Sequence, residues 1–245
     1  MKKIFTKVFL GLCALGTSAV AFAQDAAAPV VETGFHQALK IKFIEGSADF
    51  MSTIAIALIL GLAFVLERII YLNLADTNAS KLLKGLEAAL EKGDVEAAKN
   101  IARDTRGPIA SIAYQGLMRI DQGIDVVEKS IIAYGGVQGG LLEKNLSWIT
   151  LFIAMAPSLG FLGTVVGMIM AFDKIEQVGD ISPTVVASGM KVALITTVGG
   201  LVVALILQVF YNYLLSKLEA ILNKMEDASI TLLDLIIKYD VKSKK

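Results

Sequence analysis

Thr164 and the adjacent pair Thr196 and Thr197 are hydroxyl side chains set inside two long apolar runs. The first run, Met155 to Phe172 (MAPSLGFLGTVVGMIMAF), carries no charge, yet it holds a proline, several glycines and a threonine. Residues three and four apart share one face of a helix. Gly160, Gly163, Thr164, Gly167 and Ala171 therefore form one stripe, and Gly189, Ala193, Thr196, Thr197, Gly200 and Ala204 form a similar one. Small residues let helix backbones approach closely in lipid, where packing replaces the hydrophobic drive. Packing alone asks only for small residues, so the hydroxyls have two readings. They bond back to their own helix, or they make a polar seam that holds water or meets a buried carboxylate. Neither run has an acidic residue deep within it, so an ion path here needs a charge-bearing group from a partner. Pro157 removes a backbone hydrogen bond and predicts a kink. Lys191 is the one charge of the second run. It has a gating role, or it reaches the outer interface and pairs with Glu176 or Asp180.

Other chemistry is sparse. The one histidine, His36, stands alone, and the one cysteine, Cys13, lies in the first residues. No nucleophile–base pair, metal-ligand cluster or phosphate loop is present in the sequence. The expectation is a non-enzyme without metal or cofactor. Net charge is zero, so no basic balance argues for nucleic acid.

Elements must carry the stripes through a membrane. Hydrophobic types make up 55% of the 245 residues, and mean hydropathy is +0.66. Three stretches reach the about 20 apolar residues that a bilayer crossing needs. The expected fold is an all-α membrane protein with three transmembrane helices, the long ones running on into a cytoplasmic helical bundle. Residues 1–23 have the charged, apolar, small-residue order of a secretory leader ending in Ala-Phe-Ala. Residues 24–49 form an outer segment with a short amphipathic helix on the membrane surface. The first span is 50–74, with Glu67 and Arg68 at its interface. Residues 75–145 form a soluble helical region with breaks at Gly93-Asp94 and Gly107-Pro108. Asp94 caps one helix, and Asp125 with Glu128 forms a capping-box-like pair for another. Gly135, Gly136, Gly139 and Gly140 mark a hinge or ease packing. The second span is 146–172, the link 173–183, the third span 184–216, and 217–245 a C-terminal helix. Nine Lys and Arg residues lie in 76–145 and six in 217–245, against one in 173–180 and two in 24–49. The positive-inside rule places the large loop and the C-terminus in the cytoplasm and the mature N-terminus outside.

The stretches APSLGFLGTVVGM and ALITTVGGLVVALILQVFYN resemble the signature of the MotA/TolQ/ExbB proton-channel family, nearest its ExbB branch. VLERIIYL in the first span and GDVEAAKNIARDTRGPIASIAYQGL in the loop fit it as well. The resemblance implies a homo-pentameric ring in the bacterial inner membrane, built around single helices of an ExbD-like partner. An aspartate on that partner carries the proton, and the complex uses the proton motive force to energise a TonB-like protein for outer-membrane transport. Carried over by motif, Thr164 and Thr197 are the pore-facing threonines, with Thr196 beside them. Gly160, Gly163, Gly167 and Gly200 are the packing positions. The family often has a glutamate five residues before the third-span threonine, and here that position is Val192. The coupling ion therefore stays open between proton, sodium and potassium. A TolQ-like role in envelope integrity and a non-conducting helical scaffold are the competing expectations. A small-solute transporter is disfavoured by the lack of internal repeats.

Overall fold

A computed structural model of the chain describes residues 34–179 and 183–243. The leader and Asp180 lie outside the described residues. The described part is helical, with no strand among the described residues. Two units are distinguished, one ending at Ile44 and one beginning at Glu45. The first carries most of α1 (Phe35–Glu45). The second contains α2 (Ala48–Ala75), α3 (Ala79–Glu91), α4 (Val95–Asp104), α5 (Pro108–Leu117), a 3-10 turn at Ile120–Gln122, α6 (Ile124–Glu143), α7 (Leu146–Val178) and α8 (Pro183–Ser243). Helical stretches within 48–91, 124–177 and 186–242 are long and apolar enough to cross a membrane.

The third span and the C-terminal helix are one rod. At about 1.5 Å per residue, the 61 residues of α8 reach about 90 Å, some three times the about 30 Å hydrocarbon core. A single register of burial runs along it. Gly189, Ala193, Thr196, Gly200, Val203 and Leu207 are buried at spacings of four and three, and so are Leu214, Leu218, Ile221, Met225, Ala228, Leu232 and Leu235. That alternation is the 3.5-residue repeat of packed helices. The residue size changes along it, from small in the apolar run to Leu, Ile and Met beyond. Small residues bring α8 close to α7, and large ones fill the wider space against α3, α5 and α6.

The loop helices start and stop largely for local reasons. Asp94 Oδ1 accepts the Ala97 N–H at 2.9 Å, as a cap should. Pro108 opens α5 after Gly107, whose φ of 111° favours glycine. Asp125 does not cap α6: the cap position is Gly123, without a side-chain bond, and Asp125 falls in the first turn. There its charge still complements the helix dipole. Helix α6 passes through Gly135, Gly136, Gly139 and Gly140 without interruption. The break before α7 falls instead at Lys144 and Asn145, where Asn145 adopts φ 68°. Asparagine tolerates that left-handed conformation better than most residues.

Asp76, just past the end of α2, is clamped to α8. It accepts from Lys217 Nζ and Lys224 Nζ, each at 2.5 Å. Hydrogen bonds and charge from these two ammoniums hold its carboxyl below the usual carboxylate range, against a weaker opposing effect of burial. A lowered folded-state pKa means the clamp's stabilisation is complete above the unfolded value of about 4 and is lost as pH falls through the folded value. Asp76→Asn is expected to remove about 1 kcal/mol, a fall of roughly 2–4 °C in Tm at pH 7, with the difference from wild type shrinking as pH falls below about 4. Thermal melts in detergent at pH 7 and pH 3 check this. A difference that persists undiminished at pH 3 would refute the clamp.

Candidate functional site

The two stripes of small residues face each other. A Cβ placed on Gly160 would lie 2.8 Å from the Thr196 carbonyl oxygen and 3.1 Å from Thr197 Cα. One on Gly163 would lie 2.7 Å from Thr196 Oγ1, and one on Gly167 would lie 3.2 Å from the Ala193 nitrogen. One on Gly200 would run into the Ala156 carbonyl. The backbones of α7 and α8 therefore touch along this length, and only residues without a side chain permit it. Pro157 sits inside α7, which stays helical from Leu146 to Val178.

The close approach brings two hydroxyls together. Thr164 Oγ1 and Thr197 Oγ1 are directly hydrogen-bonded across the pair. Thr164 Oγ1 also lies 3.0 Å from the Ala193 carbonyl oxygen and 3.3 Å from that of Gly160. Thr197 Oγ1 lies 3.4 Å from the same two carbonyls. Two hydroxyls have two protons between them. One proton lies between the oxygens, leaving one for a carbonyl. Both side chains are half-buried, at the edge of the helix contact rather than inside it. Rotation of one hydroxyl exchanges a carbonyl for an outside acceptor. Because a hydroxyl both donates and accepts, this pair matches a carboxylate by donating and a carboxylic acid by accepting.

Thr196 stands apart from them. It is 0% exposed, packs against Gly163 and donates to its own helix, with Ala193 O at 2.8 Å and Val192 O at 3.3 Å. That is the back-bonding role open to any threonine in a helix. Gly160, Gly163, Gly167 and Gly200 lie in the contact itself.

Among the described residues Lys191 pairs with Glu45 and not with Glu176; the alternative partner, Asp180, lies outside the described residues. Lys191 Nζ lies 2.7 Å from Glu45 Oε1 at the start of the larger unit. The partner comes from before the first span. Sequence spacing gives no signal for a pairing across 146 positions. Arg68 also differs from expectation. Glu67 is exposed, but Arg68 is only 3% exposed. Its guanidinium bonds Glu67 through Nε at 2.6 Å and Nη2 at 2.5 Å and lies 4.4 Å over the Tyr71 ring, while Nη1 has no partner. The spacing held the signal: Ile54, Ala57, Gly61, Val65, Arg68 and Leu72 are the buried stripe of α2.

Residues 104–227, which include α7 and most of α8, match the model of the MotA/TolQ/ExbB proton channel family. An ExbB homologue of Methanothermobacter thermautotrophicus, described as a biopolymer transport protein, is 30% identical over 170 residues, covering 69% of this chain and 60% of the relative. The biopolymer transport protein exbB1 of Vibrio cholerae is 36% identical over 33% of this chain and 39% of its own. The biopolymer transport protein ExbB of Aquifex aeolicus is 35% identical over 32% of this chain and 53% of its own. The chain thus spans less than two thirds of each of these relatives.

Proposed function

We propose, of a chain that belongs to the MotA/TolQ/ExbB proton channel family, that it is an ExbB-like motor subunit of the bacterial inner membrane. With an ExbD-like single-span partner it draws on the proton motive force to energise a TonB-like protein for outer-membrane transport. The mature N-terminus is periplasmic and the C-terminus cytoplasmic, and the working unit is a ring of five with α7 and α8 toward its axis. The observation that carries this reading is the meeting of the Thr164 and Thr197 hydroxyls at the edge of a glycine-packed helix pair.

The partner's aspartate supplies the charge that α7 and α8 lack in their apolar runs. An ionised carboxylate in the bilayer centre costs about 2.5–3.5 kcal/mol more than ordinary apolar residues on insertion scales. Two hydroxyls that switch between donating and accepting lower that cost in one protonation state and still bond the other. Proton binding and release then bias the partner's position in the ring. Thr196 and the four glycines hold the pair together, and Thr164 and Thr197 form the pathway. Lys191, tied to Glu45, braces the outer end of α8.

A non-conducting scaffold is the second reading, favoured by one fact: both hydroxyls already have acceptors within the chain. Disulfide trapping separates the two. The full chain carrying Thr164→Cys is co-expressed with the single-span partner, whose membrane aspartate is replaced by cysteine. A cross-link at that position in a five-subunit complex is expected. Cross-links only from lipid-side positions such as Phe161→Cys, or a ring that forms without partner, would favour the scaffold.

A further inference from the structure

A groove of about 340 Å³ opens at the end of α2, where the first span meets the loop helices. Tyr71 and Leu74 of α2 line it, with Arg106 and Ser111 at the start of α5 and Gln138 and Leu142 of α6. One wall is apolar and the other polar. Arg106 is exposed and makes no hydrogen bond or ion pair among the described residues. Asp104, two residues before it in the chain, pairs with Arg103 at 3.5 Å, and Glu67 pairs with Arg68. Helix α5 starts here without a side-chain cap, so its positive dipole end adds to the Arg106 charge. Arg68, buried over the Tyr71 ring that lines the groove, keeps an N–H without an acceptor.

The apolar wall continues up the helix. Ile56, Ile59, Ala63, Leu66, Ile70 and Leu74 are exposed at spacings of three and four, a single face of α2 that ends at the groove. From Ala63 to Leu74 this face is about 16 Å long, close to one leaflet of the about 30 Å hydrocarbon core. An apolar stripe of leaflet length, flanked by Glu67 in its ion pair with Arg68 and closed at one end by the unpaired Arg106 cation, has the two-part chemistry of a phospholipid.

We propose that this groove binds the phosphate of an anionic phospholipid, with an acyl chain along the exposed face of α2. A zwitterionic lipid brings its own cation to a rim whose charge is already positive, so the site discriminates for net negative headgroups. The inference does not depend on the ring or on the ion pathway.

The test uses the full-length protein in detergent, read by native mass spectrometry for retained lipid. Phosphatidylglycerol is expected to be retained in preference to phosphatidylcholine. Arg106→Gln should lower phosphatidylglycerol retention about fivefold, since each cation near the surface contributes about that factor. Arg103→Gln, on the neighbouring exposed arginine, should leave it unchanged. Equal retention of both lipids, or an Arg106→Gln variant that keeps the lipid while its melting curve matches wild type, would overturn the proposal. Displacement of phosphatidylglycerol by millimolar inorganic phosphate would also overturn it, marking a site for soluble anions. So would a change of oligomeric state in Arg106→Gln without loss of lipid, which would give the groove to a second copy of the chain.

Discussion

Replacing Thr164 and Thr197 together with valine is expected to cut partner-dependent, ion-driven activity roughly ten- to hundredfold while the folded complex is still recovered. Valine keeps the shape of threonine and removes the hydroxyl. Because the two hydroxyls are each other's partner, removing both leaves no new orphan donor, and such double replacements are close to neutral for stability. The carbonyls they also touch belong to helices and keep their backbone donors. Interhelical side-chain hydrogen bonds in membranes contribute about 0.6 kcal/mol on average and about 1.7 at most. Losing two contacts to a partner carboxylate therefore removes about 1–3 kcal/mol from one step of the cycle, which gives the stated range. Single variants should fall between, since the remaining hydroxyl still reaches Ala193 O or Gly160 O. Uptake assays with complex yield measured in parallel decide the matter. Normal uptake with the complex intact would end the pathway assignment, whereas lost uptake with lost complex would show only packing.

Gly200→Ala and Gly160→Ala are expected to destabilise the protein by about 2–3 kcal/mol each. The new methyl groups would meet backbone atoms, the Ala156 carbonyl in one case and the Thr196 carbonyl in the other. A helix backbone cannot turn aside as a side chain can, so α7 and α8 must separate, and the threonines separate with them. Gly61→Ala is the instructive contrast. Its Cβ would lie 2.7 Å from Leu207 Cδ1, a buried side-chain methyl that can shift where a backbone atom cannot, and a smaller cost of about 1–2 kcal/mol is expected. Gly136→Ala, with nothing within 4 Å, should be neutral or stabilising by up to about 1 kcal/mol through helix propensity. Thermal unfolding in detergent, followed through Trp148 fluorescence, gives the order. If Gly200→Ala melts with Gly136→Ala, the close approach of the two helices is wrong.

Much of the architecture was legible in the chain itself, because periodicity and composition are local. Uninterrupted apolar runs mark the three membrane helices, Asp94 marks a cap, Pro108 marks a start, and the glycine stripes mark the faces that α7 and α8 turn to each other. The 3.5-residue repeat of α8 is written in sequence too, and the expected continuation of the third span into the C-terminal helix is met by one helix from Pro183 to Ser243. Asp125 misled because a capping pattern says only that a cap would be satisfied there, and Gly123 had already taken the position.

Residue types and spacing by themselves determined that two small-residue apolar runs carry hydroxyls and no acid. They could not determine which hydroxyls meet. Thr196 and Thr197 are neighbours in the chain and chemically identical, yet a 100° step around the helix buries one against Gly163 and leaves the other bonded to Thr164. The rotation of α8 about its own axis settles this, and that rotation is set by packing along the entire rod. The same holds for Arg68 turned inward, for Lys191 paired with Glu45, and for Asp76 held between Lys217 and Lys224. Each joins residues far apart in sequence, and no local pattern encodes a distance that only the folded chain closes.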